Sequence, residues 1–528
     1  MYFTLHFTSL LLWVAATFAE TIGPTGSITL SSKDISPDGF KRSASVINGG
    51  HPGPVITANK EDNIKINVVN QLTDPDQILG ASIHWHGMFQ RGTNFMDGVT
   101  GVTQCPIAPN NSFEYSFSTG GQAGTYWYHS HFDVQYCDGV RGALIVYDTA
   151  DDLMKSMYDV DDESTIISLS DWYHQPSTEI VGAARPDSTL INGKGRYVGG
   201  PAVDLAVVKV TPGKRYRFRL VSMSCAPNYV FSIDGHNLTI IETEGVATSP
   251  LVVDSIRILA GQRYSFVLHA DQTADNYWIR ALPSSGNNGL EEGFDGGINS
   301  AILRYEGAAE KEPKSPQQNS TMPLLETNLH PAHPETVPDA DERLFFTLQI
   351  DNTAPSRSRW RFNDTAFAEP EVPVLLQILS GVTDPAELLP KGSIYRLEKN
   401  RTYQLDIQNG LVGGPHPFHL HGHEFWVIRS ADNDHDNINP IKRDTVSGGT
   451  LDNGGVFSIR FTTDNPGPWI LHCHIDFHLR DGLAIVLAEA PEAVKDANPN
   501  PPDAWKELCE IWDNQPDTVK NGGHSNAS

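Results

Sequence analysis

Apolar and polar residues alternate with a period of two along much of this chain, the pattern of strands that bury one face. Ile64, Ile66 and Val68 alternate with polar partners, as do Tyr115 and Phe117. Arg215-Tyr-Arg-Phe-Arg-Leu-Val221 alternates strictly, with Tyr216, Phe218 and Leu220 on one face and three arginines on the other. Those arginines are expected on a solvated or interdomain face. Pro212-Gly213 supplies the turn before that strand, and Ala260-Gly-Gln-Arg-Tyr264-Ser-Phe266 repeats the phrase. Further on come Leu344-Phe-Phe-Thr-Leu, the apolar run Val372 to Leu379, and Thr402-Tyr-Gln-Leu-Asp-Ile407. Short strands, Gly/Pro turns and few helical patterns predict an all-β protein built of Greek-key sandwiches.

A three-fold internal repeat divides the strands into units. Ile83-His-Trp-His86-Gly matches Phe418-His-Leu-His421-Gly, and Gly124-Thr-Tyr-Trp-Tyr-His129-Ser-His131 matches Gly467-Pro-Trp-Ile-Leu-His472-Cys-His474. A middle segment has Ser232-Ile-Asp-Gly-His236 and Asn276-Tyr-Trp-Ile279 at comparable places, without paired histidines. The expected organisation is a first unit over residues 20–150, a second over 151–306 and a third over 342–490. A Pro-rich linker, 307–341, separates the last two, and a Pro-, Asn- and Asp-rich surface tail, 491–528, is anchored by Cys509.

Only the first and third units are equipped to hold metal. Residues i and i+2 of a strand share a face with Cα atoms about 6–7 Å apart, a spacing better suited to two neighbouring metals than to one. The pairs His84/His86, His129/His131, His419/His421 and His472/His474 therefore predict a multi-metal cluster between the two units. Imidazole alone does not select the metal. Selection comes from Cys473, which must face away from His472 and His474. His416, Cys473 and His478 form a His₂Cys set suited to blue copper and electron transfer, with Leu483 at an axial position where it cannot ligate. An electron arriving at the Cys473 sulfur reaches the cluster through one peptide bond, and dioxygen is the natural four-electron acceptor.

Composition narrows the setting. The 528 residues carry a formal net charge of −26 with no basic block, which disfavours nucleic acid and anionic membranes as partners. An apolar run from Phe7 to Phe18 reads as a signal peptide over residues 1–19, and Asn110, Asn237, Asn319, Asn363, Asn400 and Asn526 are glycosylation sequons, all agreeing with a secreted, extracellular protein. Of five cysteines, four are expected to pair in an oxidising compartment, in any of three ways, which leaves Cys473 for the metal.

Taken together, the four histidine motifs resemble those of the multicopper oxidases, and the whole mature chain, including Gly297-Ile-Asn-Ser-Ala-Ile-Leu-Arg-Tyr305, resembles secreted basidiomycete-type fungal laccases. The resemblance implies three cupredoxin domains, four coppers per monomer (one type 1, one type 2, two type 3), phenol or arylamine substrates, and dioxygen. By motif, His416, Cys473 and His478 match the type 1 ligands, and His84 and His419 the type 2 ligands. His86, His129 and His474 match one type 3 copper, and His131, His421 and His472 the other. The resemblance also implies disulfides Cys105–Cys509 and Cys137–Cys225, Asp97 as a proton-supplying acid, and His478 as the residue that takes up electrons. Two departures stand out. Ala226 occupies a substrate-pocket position where similar laccases usually carry Asp, and Arg480-Asp481 replaces a common Glu-Ala pair. Asp481 either partly replaces the missing carboxylate or is solvated along with Arg480. His423 is expected in a structural hydrogen bond, and His174, His236, His269 and His435 on surfaces or loops.

Overall fold

The structure is a computed structural model that describes residues 21–284, 293–351, 359–409, 414–431, 433, 435–449 and 455–522. The expected signal peptide, 1–19, and the sequon at Asn526 lie outside them. Among the described residues no helix is long and apolar enough to cross a membrane.

The strands form six sheets, which follow the chain as three successive pairs. The first pair has the order Arg42–Ile47, Thr25–Ile35, Asn63–Gln71, Ser112–Ser118 in one sheet, and Ile56–Asn59, Arg141–Tyr147, Gly124–His129, His84–His86 in the other. The second pair is built from strands between Ile166 and Tyr305, and the third from strands between Glu342 and Glu489. Each pair repeats one device: its opening strands join later strands in parallel, as Thr25–Ile35 joins Asn63–Gln71 and Glu342–Asp351 joins Thr402–Gln408. All other pairings of those strands are antiparallel, the connectivity of Greek keys.

The internal repeat is visible in register. His84 pairs across from His129, and His419 from His472. The corresponding strands of the middle unit, Asn228–Ile233 and Asn276–Ser284, set Ser232 opposite Arg280 where the other units have histidines. Alternation accounts for the difference between faces. Trp85, Leu420 and Cys473 turn away from the paired histidines and are fully or almost fully buried.

Several expectations are corrected. Of the two faces expected for these arginines the solvated one fails and the interdomain one holds for Arg219: both Arg217 and Arg219 are buried, Arg217 against Asp152 and Glu242 and Arg219 against Asp161 at 2.7 Å. Arg219 also donates to Thr125 Oγ1 at 2.9 Å, tying the second unit to the first. The tail is not merely a surface segment, because it contains the helix Asp503–Asp513. Trp505, Leu508, Cys509 and Trp512 recur at helical spacing. Trp505 and Leu508 are buried, and Trp512 meets Phe132 edge-on at 5.5 Å. Disulfides join Cys105 to Cys509 and Cys137 to Cys225, and Cys473 is free and buried. The apolar run after Val372 forms the helix Val374–Leu379, started by Pro373. Among the sequons, Asn110, Asn237, Asn319 and Asn400 are exposed and Asn363 is half-buried.

Candidate metal centres

The strand Gly467–Cys473 and the helix Asp476–Arg480 carry both centres. Gly482, at φ +110°, turns the chain back from that helix, and the Leu483 carbonyl accepts the Cys473 N–H at 3.0 Å. This turn places His478 beside the sulfur. Cys473 Sγ lies 3.8 Å from His416 Nδ1 and 3.7 Å from His478 Nδ1. Cys473, His416 and Leu483 are buried, and His478 is half-buried. Trp360 stacks on the His478 ring at 3.8 Å between centroids and lies 5.5 Å from the His416 ring.

On the other face of the strand, eight buried imidazoles converge from the first and third units. Possible ligand atoms lie close together in the sets His84/His86/His419, His86/His129/His474 and His131/His421/His472. Each of these three sets draws on both units, so neither unit completes the eight-imidazole cluster alone.

Hydrogen bonds decide which ring nitrogen faces inward. Nδ1–H of His84 donates to the Asp97 carbonyl at 2.7 Å, that of His129 to the Ser130 carbonyl at 2.8 Å, that of His419 to the Asp444 carbonyl at 2.8 Å, and that of His472 to the Cys473 carbonyl at 3.0 Å. The Nε2 lone pairs of those rings are thereby directed at the common space. His421 Nδ1 is held by Asp97 Oδ2 at 2.8 Å, and His474 Nδ1 lies 3.3 Å from the Tyr136 hydroxyl. His86 is reversed. Its Nε2 is held 3.2 Å from Asp444 Oδ1, and its Nδ1 faces His474 Nε2 at 3.2 Å.

These residues fit metal. The Nε2 atoms of His84, His129, His131 and His419 are buried without a hydrogen-bond partner, and His421 Nε2 faces His472 Nε2 at 3.2 Å. Unsatisfied buried acceptors cost about 1–3 kcal/mol each unless a cation meets their lone pairs. Burial pushes the imidazoles of His86, His129, His131, His421, His472, His474 and His478 well below their ordinary range and lowers His419, so they are neutral ligands at neutral pH. Burial pushes the Cys473 thiol up, so its thiolate form requires a positive partner. A thiolate with two imidazoles suits copper, and imidazole-only sets accept it.

Asp97 follows the short helix Asn94–Met96 and is 1% exposed. It touches His84 and His421, one histidine from each metal-holding unit. Ala226 is buried. The Asp171 carboxylate holds the N–H groups of Cys225 and Ala226 at 2.9 and 3.1 Å, and the Cys225 carbonyl accepts the Asp476 N–H at 2.9 Å. Asp481 is not solvated. Its side chain and that of Arg480 are each 6% exposed and in contact at 3.3 Å, because the end of the helix packs under the Trp360 strand. His423 bonds Glu489 at 2.8 Å, and His236, although on a loop, is buried against Tyr305.

Sequence reasoning missed the residues behind the imidazoles. Arg263 pairs with Asp444, and Arg443 with Glu244, all four buried. The one local signal was Lys442-Arg443-Asp444-Thr445, a run of charges beside strand residues. Trp360 had no signal at all.

Known proteins agree with this geometry. The multicopper oxidase family matches over residues 29–151, 163–308 and 367–493. Laccase-4 of Trametes villosa is 53% identical over 507 residues, covering 94% of this chain and 95% of the relative. Laccase-1 of Pleurotus ostreatus is 52% identical over 517 residues, covering 95% of each. Among solved structures, the laccase of Botrytis aclada superposes with a TM-score of 0.80 at 32% identity, covering 93% of each chain. Fet3p, a multicopper oxidase that functions in iron import, superposes with a TM-score of 0.80 at 29% identity, covering 96% of this chain and 97% of that one. With paired histidines on facing strands, a free cysteine between two of them and these relatives along nearly its whole length, the chain belongs to the multicopper oxidase family.

Proposed function

We propose that this chain is a secreted laccase that takes single electrons from phenols and arylamines and delivers four of them to dioxygen, forming water. One observation carries the reading. Cys473 faces His416 and His478 while its neighbours His472 and His474 join the eight-imidazole shell, so one strand serves an electron-receiving set and an electron-collecting set. The relatives named laccase, about half identical over nearly the full chain, support it.

In this reading His416, Cys473 and His478 hold a type 1 copper and His84 and His419 a type 2 copper. His86, His129 and His474 hold one type 3 copper, and His131, His421 and His472 the other, four in all. Copper, when bound, supplies reversible one-electron chemistry at the first set and stores electrons for dioxygen at the second. The remaining work belongs to the protein. His478 is half-buried while Cys473 and His416 are buried, so a substrate meets the His478 ring edge. Leu483 is buried and would offer no donor atom to a copper held there, which would favour a higher potential. Peptide bonds from Cys473 to His472 and His474 give the covalent electron path. Asp97, with Oδ1 3.3 Å and Oδ2 2.8 Å from Nδ1 of His84 and His421 respectively, is placed to hold and release a proton beside both metal-holding units. The N-terminal apolar run and the sequons support secretion, and residues 20–150, 151–306 and 342–490 are proposed as three cupredoxin domains of a monomer.

Oxygen uptake by the copper-loaded protein tests the proposal. A dimethoxyphenol should drive it with four phenols oxidised per dioxygen, and should be preferred to Fe(II). A blue, fully loaded protein that consumes no oxygen would refute the reading in favour of copper storage, and a preference for Fe(II) would make it a ferroxidase.

A further inference from the structure

We infer that the turn Leu259–Arg263 of the middle unit, which holds no paired histidines, is the positioning element of the eight-histidine cluster. Arg263 sets Asp444, Asp444 sets which nitrogen of His86 faces the cluster, and Gly261 reserves the space in which His86 meets His474. This rests on the proposed function, since it assumes that the eight histidines hold copper.

Arg263 is wholly buried and ties three segments together. Its Nε donates to the Thr125 carbonyl at 3.0 Å, on the strand that carries His129. Nη1 donates to the Gly261 carbonyl at 2.9 Å and to Asp444 Oδ1 at 2.7 Å, and Nη2 to Asp444 Oδ2 at 2.6 Å. That fork fixes the carboxylate plane, which a point charge does not do. Asp444 then holds His86 Nε2 with its side chain and His419 Nδ1 with its carbonyl. His86 is thereby turned opposite to His84, His129, His419, His421, His472 and His474, whose Nδ1 atoms face outward. Two further bonds from the middle unit hold the same segment. Gln262 Nε2 donates to the Thr445 carbonyl at 3.0 Å, and Glu244 accepts the N–H groups of Asp444 and Thr445 at 2.8 and 2.9 Å.

Gly261 contributes by having no side chain. A Cβ there would lie 2.9 Å from His474 Cδ2 and 3.0 Å from His86 Cε1, and the residue has φ +83°. Alanine would press on the two imidazoles whose nitrogens face each other at 3.2 Å. The unit without paired histidines therefore shapes the cluster from behind.

Chelator titration of copper-loaded Arg263→Gln, Arg263→Lys and Gly261→Ala tests this. The blue absorption of the Cys473 site and the type 2 electron-paramagnetic signal are read separately, together with total copper. Removing an outer hydrogen-bonding partner weakens metal binding about 10–100-fold. Arg263→Gln is expected to release cluster copper at a chelator concentration lower by that factor with the blue band retained, and Arg263→Lys to recover only part of the loss. Gly261→Ala should weaken the cluster while leaving the guanidinium in place. A native release curve for Arg263→Gln overturns the inference, as does parallel loss of blue and cluster copper. If Arg263→Gln does not accumulate, a native curve for Gly261→Ala overturns it. Failure of the laccase reading is distinguishable, because the unsubstituted protein would then lack one copper class or consume no oxygen.

Discussion

Aspartate at position 226 would change how the pocket beside His478 treats a phenol. Ala226 is 6% exposed, its N–H is pinned by Asp171, and the preceding carbonyl is pinned by the N–H of Asp476, two residues before His478. A carboxylate introduced there enters a backbone already fixed against the helix that carries His478. A hydrogen bond to a charged acceptor contributes about 1.5–3 kcal/mol. At about 1.4 kcal/mol per factor of ten, Ala226→Asp should raise kcat/KM for phenols roughly 10–150-fold. A non-phenolic dye, which has no proton to give up, should gain little. The pH dependence has a definite sign. Burial, with Asp171 and Asp476 nearby, raises a carboxyl at this position above its ordinary value of about 3.9. The gain needs the ionised form, so it is full above the raised value and disappears as pH falls through it. Steady-state kcat/KM for a dimethoxyphenol and for the dye, measured from acid to neutral pH, decides the matter. A phenol-to-dye ratio equal to that of the unsubstituted protein at every pH refutes the reasoning.

Cys473→Ser should abolish the blue band and turnover while cluster copper remains, because the eight histidines lie on the opposite face of the strand; phenol oxidation at the normal rate would sink the electron route. Trp360→Leu removes a ring stacked 3.8 Å from His478, an interaction that contributes about 0.5–1.5 kcal/mol. Copper at the blue site should then be lost to a chelator at a concentration about 2–10-fold lower, and an unchanged titration would show that the indole does not support the imidazole. Glu242→Gln tests a buried ion pair behind the cluster. Burial opposes ionisation of Glu242, yet Arg217 and Arg219 pull its carboxyl down to about 2. A depressed carboxyl contributes stability that is full above its unfolded value of about 4.3 and is lost as pH falls through about 2, on the order of 3 kcal/mol. Urea unfolding should show the variant less stable at pH near neutral, with the difference closing in acid, and a constant difference at all pH would contradict the assignment.

Local patterning was enough for the strands and for the faces of the ligands. Period-two alternation dictates that His472 and His474 share one face and Cys473 takes the other, whatever the strand packs against, and the same holds for His84/His86 and His419/His421. The repeat of Gly, His and His spacing likewise dictated matching registers, His84 across from His129 and His419 across from His472. The helix at Asp503–Asp513 went unread, because Pro- and Asn-rich surroundings masked the helical spacing of Trp505, Leu508, Cys509 and Trp512.

What the chain pattern could not contain is the meeting of the units. Arg263 and Asp444 are 181 residues apart, and nothing local to either marks them as partners. An arginine on an alternating strand reads equally as solvated or interdomain until the partner unit is known, and for Arg219 and Arg263 only the fold supplied that partner. Trp360 came to stack on His478 only because its strand packs over the helix that carries His478. The stretch around Cys473 thus determined by itself which chemistry the protein carries, since side-chain direction follows from strand geometry alone. Which nitrogen of His86 faces the cluster, and what holds it there, was decided only by tertiary packing, because buried charges must find their partners wherever the fold brings them.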